Sequence, residues 1–150
     1  MIISEKHLPR DLRIIGALAF VFALFQLGGI NRYSIYSPYM IFFVIFLSTG
    51  IIYFSLASGV SKKEKWAWFF GIVIFILSIM IGLLSLLLKA TSILQLVIGL
   101  LIPLLFLITF IQAKKEITVS SRISIVPFVL LIVGFIMNIV SNGYLLYLVR

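Results

Sequence analysis

The chain has 150 residues, of which 63% are hydrophobic and only 11% are charged, and its formal net charge is +8. A soluble domain carries about 25% charged residues, so this composition excludes one and is typical of a chain that crosses a membrane several times. Cysteine is absent, which excludes disulfides and cysteine metal sites. The single histidine, His7, is expected to be solvated, so we expect no metal, no haem and no other cofactor.

Five apolar segments follow one another along the chain. A membrane-spanning helix needs about 20 mostly apolar residues, and these runs are too long for the strands of a membrane barrel. The sequence therefore predicts an all-α integral membrane bundle, a single domain of five transmembrane helices at about 13–30, 39–60, 66–88, 92–112 and 123–149. The fifth helix either tilts in the bilayer or ends near Asn142, because an Asn-Gly pair favours turns.

The basic residues alternate between the two sides of these segments. In chain order, the stretches outside the apolar runs hold three, one, three, one, three and one Lys or Arg, which accounts for all 12. Because cytoplasmic loops carry the excess of Lys and Arg, this order predicts a cytoplasmic N-terminus and an extracytoplasmic C-terminus. We expect a multi-pass protein of the cell membrane. Orientation in the lipid bilayer explains the positive charge, so no nucleic-acid partner is expected.

The second predicted cytoplasmic loop contains three lysines, Lys62, Lys63 and Lys65. We expect them to orient the chain and to attract anionic lipid, with docking of an acidic cytoplasmic partner as the alternative. Three lysines are fewer than the four to eight basic residues of a phosphoinositide-binding cluster. Glu64 is expected to be solvated among them, and Trp66 and Trp68 are expected in the headgroup region.

The sequence from residue 59 to about residue 112 resembles a pattern common in small prokaryotic membrane proteins. A helix ends in glycine, a short basic loop follows, and a Trp-Ala-Trp start leads into a long apolar helix. The resemblance implies no particular activity. The isoleucine-rich, alanine-poor apolar content also points to a prokaryotic source.

The interiors of the predicted spans contain no Asp, Glu, Lys, Arg or His. Proton-coupled transporters, ion pumps and most intramembrane enzymes need such groups at membrane depth. No nucleophile, zinc-protease or phosphate-binding motif is present either. We therefore expect that the protein is not an enzyme, since catalysis would require groups supplied by another chain.

The last predicted span carries a polar stripe. Gly134, Asn138 and Asn142 recur every four residues with Ser141 beside them, which places them on one helical face. An amide side chain in hydrocarbon is costly unless it finds a partner. We therefore expect each asparagine to have a specific hydrogen-bonding environment.

Three environments are considered for Asn138 and Asn142. The first is helix packing, in which they pair with Gln95, Gln26 or exposed backbone. The second is an outward-opening polar pocket lined by Asn138, Ser141, Asn142, Gln26 and Asn31. The third is contact with the helix of a partner protein.

These patterns favour a non-catalytic role. The leading interpretation is an accessory or scaffolding subunit of a larger membrane protein complex, with other membrane subunits as partners. The alternative is a small-molecule or lipid-binding membrane component of a transporter, which would use the polar face of the last helix. Ala19 and Ala23 form a small-residue pair in the first span that would let another helix approach closely.

Overall fold

The protein is all-helical in the part that the structure, a computed structural model, describes. The backbone is described for residues 7–30, 38–87, 93–114 and 119–148, and the side chains for 7–27, 39–83, 100–114 and 119–143. These residues form five helices, α1 (Leu8–Ile30), α2 (Pro38–Ser61), α3 (Lys65–Leu87), α4 (Ile93–Gln112) and α5 (Ile125–Leu148). They contain no β-strand, apart from an isolated bridge that is described below. The predicted all-α fold with five helices is confirmed.

Three of the helices are long and apolar enough to cross a membrane. Among the described side chains these segments are Tyr39–Ser61, Lys65–Leu83 and Ile125–Gly143, and Leu100–Gln112 forms a shorter apolar helical segment. Large apolar side chains also cover much of the helix surface, as on α5, where Ile125 and Val126 are 74% and 69% exposed. A surface of this kind is unfavourable in water and indicates a membrane protein.

The first helix begins at Leu8, before the apolar segment that predicts it near residue 13. Its first turn contains Pro9, which the first turn of a helix tolerates, and Asp11, whose carboxylate is favourable near the helix N-terminus. Apolar content alone therefore places the start of this helix too late.

The last helix continues through Asn142 and Gly143 to Leu148. The Nδ2 atom of Asn142 donates a hydrogen bond to the main-chain carbonyl of Asn138 at 2.8 Å, so the amide binds its own helix instead of starting a turn. Of the two alternatives left open by the sequence, the structure has the continuous helix. Backbone groups at membrane depth are satisfied best within a helix.

The chain divides into two compact units. One, the hairpin unit, comprises Gly59–Ile123 together with, among the described residues, His7 and Leu8, and it contains α3 and α4. The other, the three-helix unit, comprises Pro9–Ser58 and the chain from Ser124 onward, and contains most of α1 and α2 together with α5.

An aromatic cluster forms the core of the hairpin unit. Phe75 stacks on Phe106, with ring centroids 5.4 Å apart, and lies 5.5 Å from Phe110. All three rings are buried, and Gly71 lets the Phe110 ring lie directly on the α3 backbone. A Cβ atom at position 71 would be 2.6 Å from Cδ1 of that ring, closer than real contacts allow.

The two helices of the hairpin unit run antiparallel. Near the start of α3, Gly71 contacts Phe110 near the end of α4. Near the end of α3, Gly82 faces Leu100 in the first half of α4, where an added Cβ would be 2.7 Å from a Leu100 methyl group. The basic ends of the two helices, with Lys65 and Lys114, therefore lie at the same end of this unit.

In the three-helix unit, α2 contacts both α1 and α5. A Cβ atom at Gly16 of α1 would lie 3.3 Å from the Gly50 carbonyl of α2, so the two backbones pass close together. Phe20 packs on Phe54 with ring centroids 5.5 Å apart. Small residues thus allow the close approach, and the phenyl rings fill the space beside it.

On its other side, α2 packs against Gly134 of α5. A Cβ at this glycine would meet the Ser48 carbonyl at 3.2 Å and side-chain atoms of Ile51 and Ile52 at 3.1 Å. One turn later along α5, Asn138 reaches back to Ser48, so α5 runs antiparallel to α2. The glycine of the predicted polar stripe is therefore a site of close helix packing.

Candidate functional site

Polar side chains of α2 and α5 form a cluster inside the three-helix unit. We call it the amide cluster, and it consists of Ser48, Thr49, Asn138 and Asn142. The Nδ2 atom of Asn138 donates to Ser48 Oγ at 3.1 Å and to Thr49 Oγ1 at 3.2 Å. The Nδ2 atom of Asn142 donates to Asn138 Oδ1 at 3.0 Å. The cluster therefore joins, through side chains, two helices that are each long and apolar enough to cross a membrane.

Both donors and the oxygen of the Asn138 amide make hydrogen bonds within the chain. Its NH₂ group has two donors, which match the two hydroxyl acceptors on α2, and its oxygen accepts from Asn142. The hydroxyls of Ser48 and Thr49 in turn both donate to the Ile45 carbonyl, at 2.9 and 2.7 Å. A polar group whose bonds are already made loses them if it binds a ligand instead.

Among the described hydrogen bonds, none joins Ser141 or Gln26 to the members of this cluster, and the other residues predicted to pair with it or to line a pocket beside it have side chains outside the described part of the chain. Ser141 is buried, and its hydroxyl donates to the Met137 carbonyl of its own helix at 2.7 Å. Gln26 lies half-buried on α1. The side chains of Gln95 and Asn31 lie outside the described residues.

The hydroxyl partners of Asn138 are missing from the sequence-based prediction. Ser48 and Thr49 form the most polar point of the second apolar segment, and this is the signal that was available. Hydroxyl residues in membrane helices usually bond to their own backbone, so the pair alone does not indicate which helix it faces.

A second feature lies at the basic end of the hairpin unit. We call it the loop junction, and it consists of residues 59–66 and 119–122. The Ser120 amide donates to the Lys63 carbonyl at 2.8 Å, and the Lys65 amide donates to the Ser120 carbonyl at 3.1 Å. These bonds form a parallel bridge that is centred on Glu64 and Ser120. Two loops far apart in sequence are thereby held together.

The first loop turns through a left-handed residue at the end of α2. The Lys63 amide donates to the Val60 carbonyl and the Glu64 amide to the Gly59 carbonyl, both at 3.0 Å. This pair of bonds is the Schellman pattern of helix ends, in which the left-handed position is usually glycine. Here Lys63 occupies it with φ of 55°. The turn therefore keeps a lysine in a conformation that costs about 1–2 kcal/mol for a residue with a side chain.

Glu64 is buried, with 3% of its surface exposed. The indole Nε1 of Trp66 donates a hydrogen bond to its carboxylate, and Trp66 is itself only 7% exposed. The expectation that Glu64 is solvated is therefore wrong, and the Trp66 ring packs inside the protein instead of facing outward. Burial of a carboxylate requires compensating polar partners, and the indole is one of them.

Trp68 caps the end of the neighbouring helix. Its Nε1 donates to the carbonyl of Phe110 at 2.7 Å, which satisfies one of the carbonyls left without a partner at the end of α4. The ammonium group of Lys114 lies 5.2 Å from the centroid of the Trp68 ring, within the range of a cation–π contact. Trp68 therefore links the start of α3, the end of α4 and the basic side chains around them.

The lysines named from the sequence are all at the surface of the loop junction. Lys62, Lys63 and Lys65 are exposed, and so is Arg122 of the second loop. The backbone amide of Arg122 donates to Ser120 Oγ at 3.2 Å, which holds Arg122 close to the bridge residue. The bridge therefore brings a fourth basic residue, Arg122, to the part of the chain that contains the three predicted lysines.

Among the described side chains, no group of three or more His, Cys, Asp or Glu is placed to hold a metal ion. Comparison of the chain with models of protein families, with curated proteins and with solved structures finds no match. The features that bear on function are therefore the amide cluster, the loop junction and the apolar helix surfaces.

Proposed function

We propose that this protein is a non-catalytic accessory or scaffolding subunit of a larger membrane protein complex. The observation that supports this most is the amide cluster, in which the Asn138 amide donates its hydrogen bonds to Ser48 and Thr49 of the same chain. Polar groups used in this way hold helices together, while apolar side chains such as Ile136 and Val140 remain on the outer surface of α5. Lipid and the helices of other subunits both fit such a surface.

The alternative, a transporter component that binds a ligand on the polar face of α5, has less support. A ligand at Asn138 would have to replace two hydrogen bonds to α2 hydroxyls. Ser141 is likewise bonded to its own helix. The arrangement favours helix pairing at these residues over a preformed binding pocket.

The proposal includes the complete five-span topology, with the N-terminus in the cytoplasm and the chain in the cell membrane. In the hairpin unit, the antiparallel helices carry Lys65 and Lys114 at one end. In the three-helix unit, the start of α1, with Arg10 and Arg13, lies at the same end as the start of α5. Basic residues gathered at one end of each unit fit the rule that Lys and Arg remain on the cytoplasmic side.

A reporter fused after Arg150 should be extracytoplasmic, because an odd number of spans places the two termini on opposite sides of the membrane. The matched control is a reporter fused after Lys115, behind the fourth helix, which should be cytoplasmic. A pair of reporters, one active only outside and one only inside, measures both positions. Fusions after Lys115 and Arg150 that report the same side would contradict the five-span topology.

Extraction from native membranes in mild detergent tests the accessory role. We expect this chain to elute with larger membrane subunits in a constant ratio, measured by quantitative mass spectrometry across size-exclusion fractions. The same larger subunits should retrieve this chain when they carry the affinity tag. A chain that purifies alone, or only with a tightly held small molecule, would overturn the accessory role and favour the transporter alternative.

A further inference from the structure

The loop junction gathers more positive charge than either loop has alone. The two stretches of sequence that meet there, residues 61–65 and 113–122, contain six basic residues and two acidic ones. Of the basic residues, the structure describes Lys62, Lys63, Lys65, Lys114 and Arg122, and all five are exposed. We call these five the basic surface. Three lysines fall short of a lipid-binding cluster, whereas five lie within the four to eight basic residues that are typical of one.

Backbone hydrogen bonds hold the stretches that carry these side chains next to each other. Lys63 and Lys65 both bond through their backbones to Ser120, and Arg122 follows Ser120 by two residues. Lys65 lies one turn before Trp68 on α3, and the ammonium of Lys114 lies over the Trp68 ring. All five residues of the basic surface belong to the hairpin unit.

The buried Glu64 contributes almost nothing to the exposed surface between the lysines. Its carboxylate is 3% exposed and accepts a hydrogen bond from the Trp66 indole, while the side chains of Lys63 and Lys65 on either side are exposed. Lys63 occupies a left-handed position that glycine would adopt with less strain, so a basic side chain stands where a helix end usually has none. Both features favour a surface that presents positive charge outward.

We propose that the basic surface binds the headgroup of an anionic phospholipid through its phosphate group. This rests on the proposed membrane topology, which puts the loop junction at the cytoplasmic headgroup region. Lysine and arginine side chains near that region gain affinity for anionic lipid with each added charge. Trp68, half-buried beside them, is placed to contact the start of an acyl chain.

The chain contains only two tryptophans, Trp66 and Trp68, and both belong to this region, so their fluorescence is a direct probe. The full chain is purified in a neutral detergent and mixed with phosphatidylglycerol that is brominated near the headgroup end of its acyl chains. Brominated phosphatidylcholine is titrated in parallel. We expect brominated phosphatidylglycerol to quench the tryptophan fluorescence at a lower mole fraction than brominated phosphatidylcholine does. This difference between the two lipids should disappear at about 1 M salt, where charges are screened beyond about 3 Å.

Lys63→Gly is the sharpest variant, because it removes one charge and also relieves the left-handed strain. We expect its thermal stability to be unchanged or higher, while its preference for phosphatidylglycerol falls about fivefold. Adding Lys65→Gln should lower the preference about fivefold again. The matched control is Arg13→Gln, which removes one exposed charge from the other unit and should leave the quenching unchanged.

Two results would overturn the lipid site. One is equal quenching by both lipids with the unaltered chain. The other is an equal loss of preference in Lys63→Gly and Arg13→Gln, which would mean that overall charge acts instead of this surface. If lipid preference is absent while an acidic protein binds the unaltered chain and not Lys63→Gly, the surface is a protein-docking site. Micelle quenching does not depend on topology, so its outcome is independent of the reporter fusions after Lys115 and Arg150.

Discussion

Replacing Gly71 by alanine should lower the free energy of unfolding by about 1–3 kcal/mol, the usual cost of overpacking. The added Cβ would lie 2.6 and 2.8 Å from Cδ1 and Cζ of Phe110. That ring is fully buried beside Phe75 and Phe106, so it has little room to move. The penalty should exceed the gain of about 1 kcal/mol that alanine brings to a helix. The midpoint of thermal unfolding in detergent, followed by circular dichroism, measures the change.

Gly143→Ala is the matched control for this substitution. It makes the same chemical change in a helix, but the new Cβ would meet nothing within 4 Å beyond its chain neighbours and its own helical backbone. We expect its unfolding midpoint to stay the same or to rise slightly, since alanine is the better helix former. The double variant Gly71→Ala/Phe110→Leu should recover part of the loss, because the clashing ring is gone. An equal effect of Gly71→Ala and Gly143→Ala would rule out the packing explanation.

The helices could be predicted from the sequence because the bilayer sets their length. A run of about 20 apolar residues has few stable alternatives in hydrocarbon, and each of the five runs became a helix. The start of α1 at Leu8 was missed because polar residues continue a helix beyond the apolar run when they suit its first turn. Apolar content therefore predicts the helices better than it predicts their ends.

The partners in the amide cluster could be predicted only in part. Polarity in a long apolar run marks Asn138 as a residue that needs a hydrogen bond. Which helix supplies that bond depends on how α2 and α5 pack, and residues 48 and 138 are far apart in sequence. Periodicity gives the face of one helix, but the identity of the facing helix is a tertiary property.

The loop junction was missed for a similar reason. Glu64 stands among lysines, and a charge run of this kind is usually solvated. Its burial depends on the indole of Trp66, and the turn around it is held by Ser120 from a distant loop. Local composition predicted the charge of this region correctly as basic, but it could not predict which charged side chain would be turned inward.

Replacing Asn138 by alanine should lower the free energy of unfolding by about 1–2 kcal/mol, because it removes two hydrogen bonds between helices. Both bonds join α5 to α2, through Ser48 and Thr49. Asn142→Ala should cost less, since the bonds of Asn142 that the structure describes stay within its own helix. The measurement is again the thermal unfolding midpoint in detergent, with both variants purified in the same way.

A double-mutant cycle separates the bond from the other effects of the substitution. Asn138→Ala is combined with Thr49→Val, which replaces the hydroxyl with a methyl group of similar size. If Asn138 and Thr49 stabilise each other directly, the double variant should lose less than the sum of the two single losses, by about 0.6–1.7 kcal/mol. Strictly additive losses would mean that the amide cluster does not hold α2 and α5 together. This result would favour the alternative in which the polar face of α5 binds a ligand, and the accessory role would lose its main support.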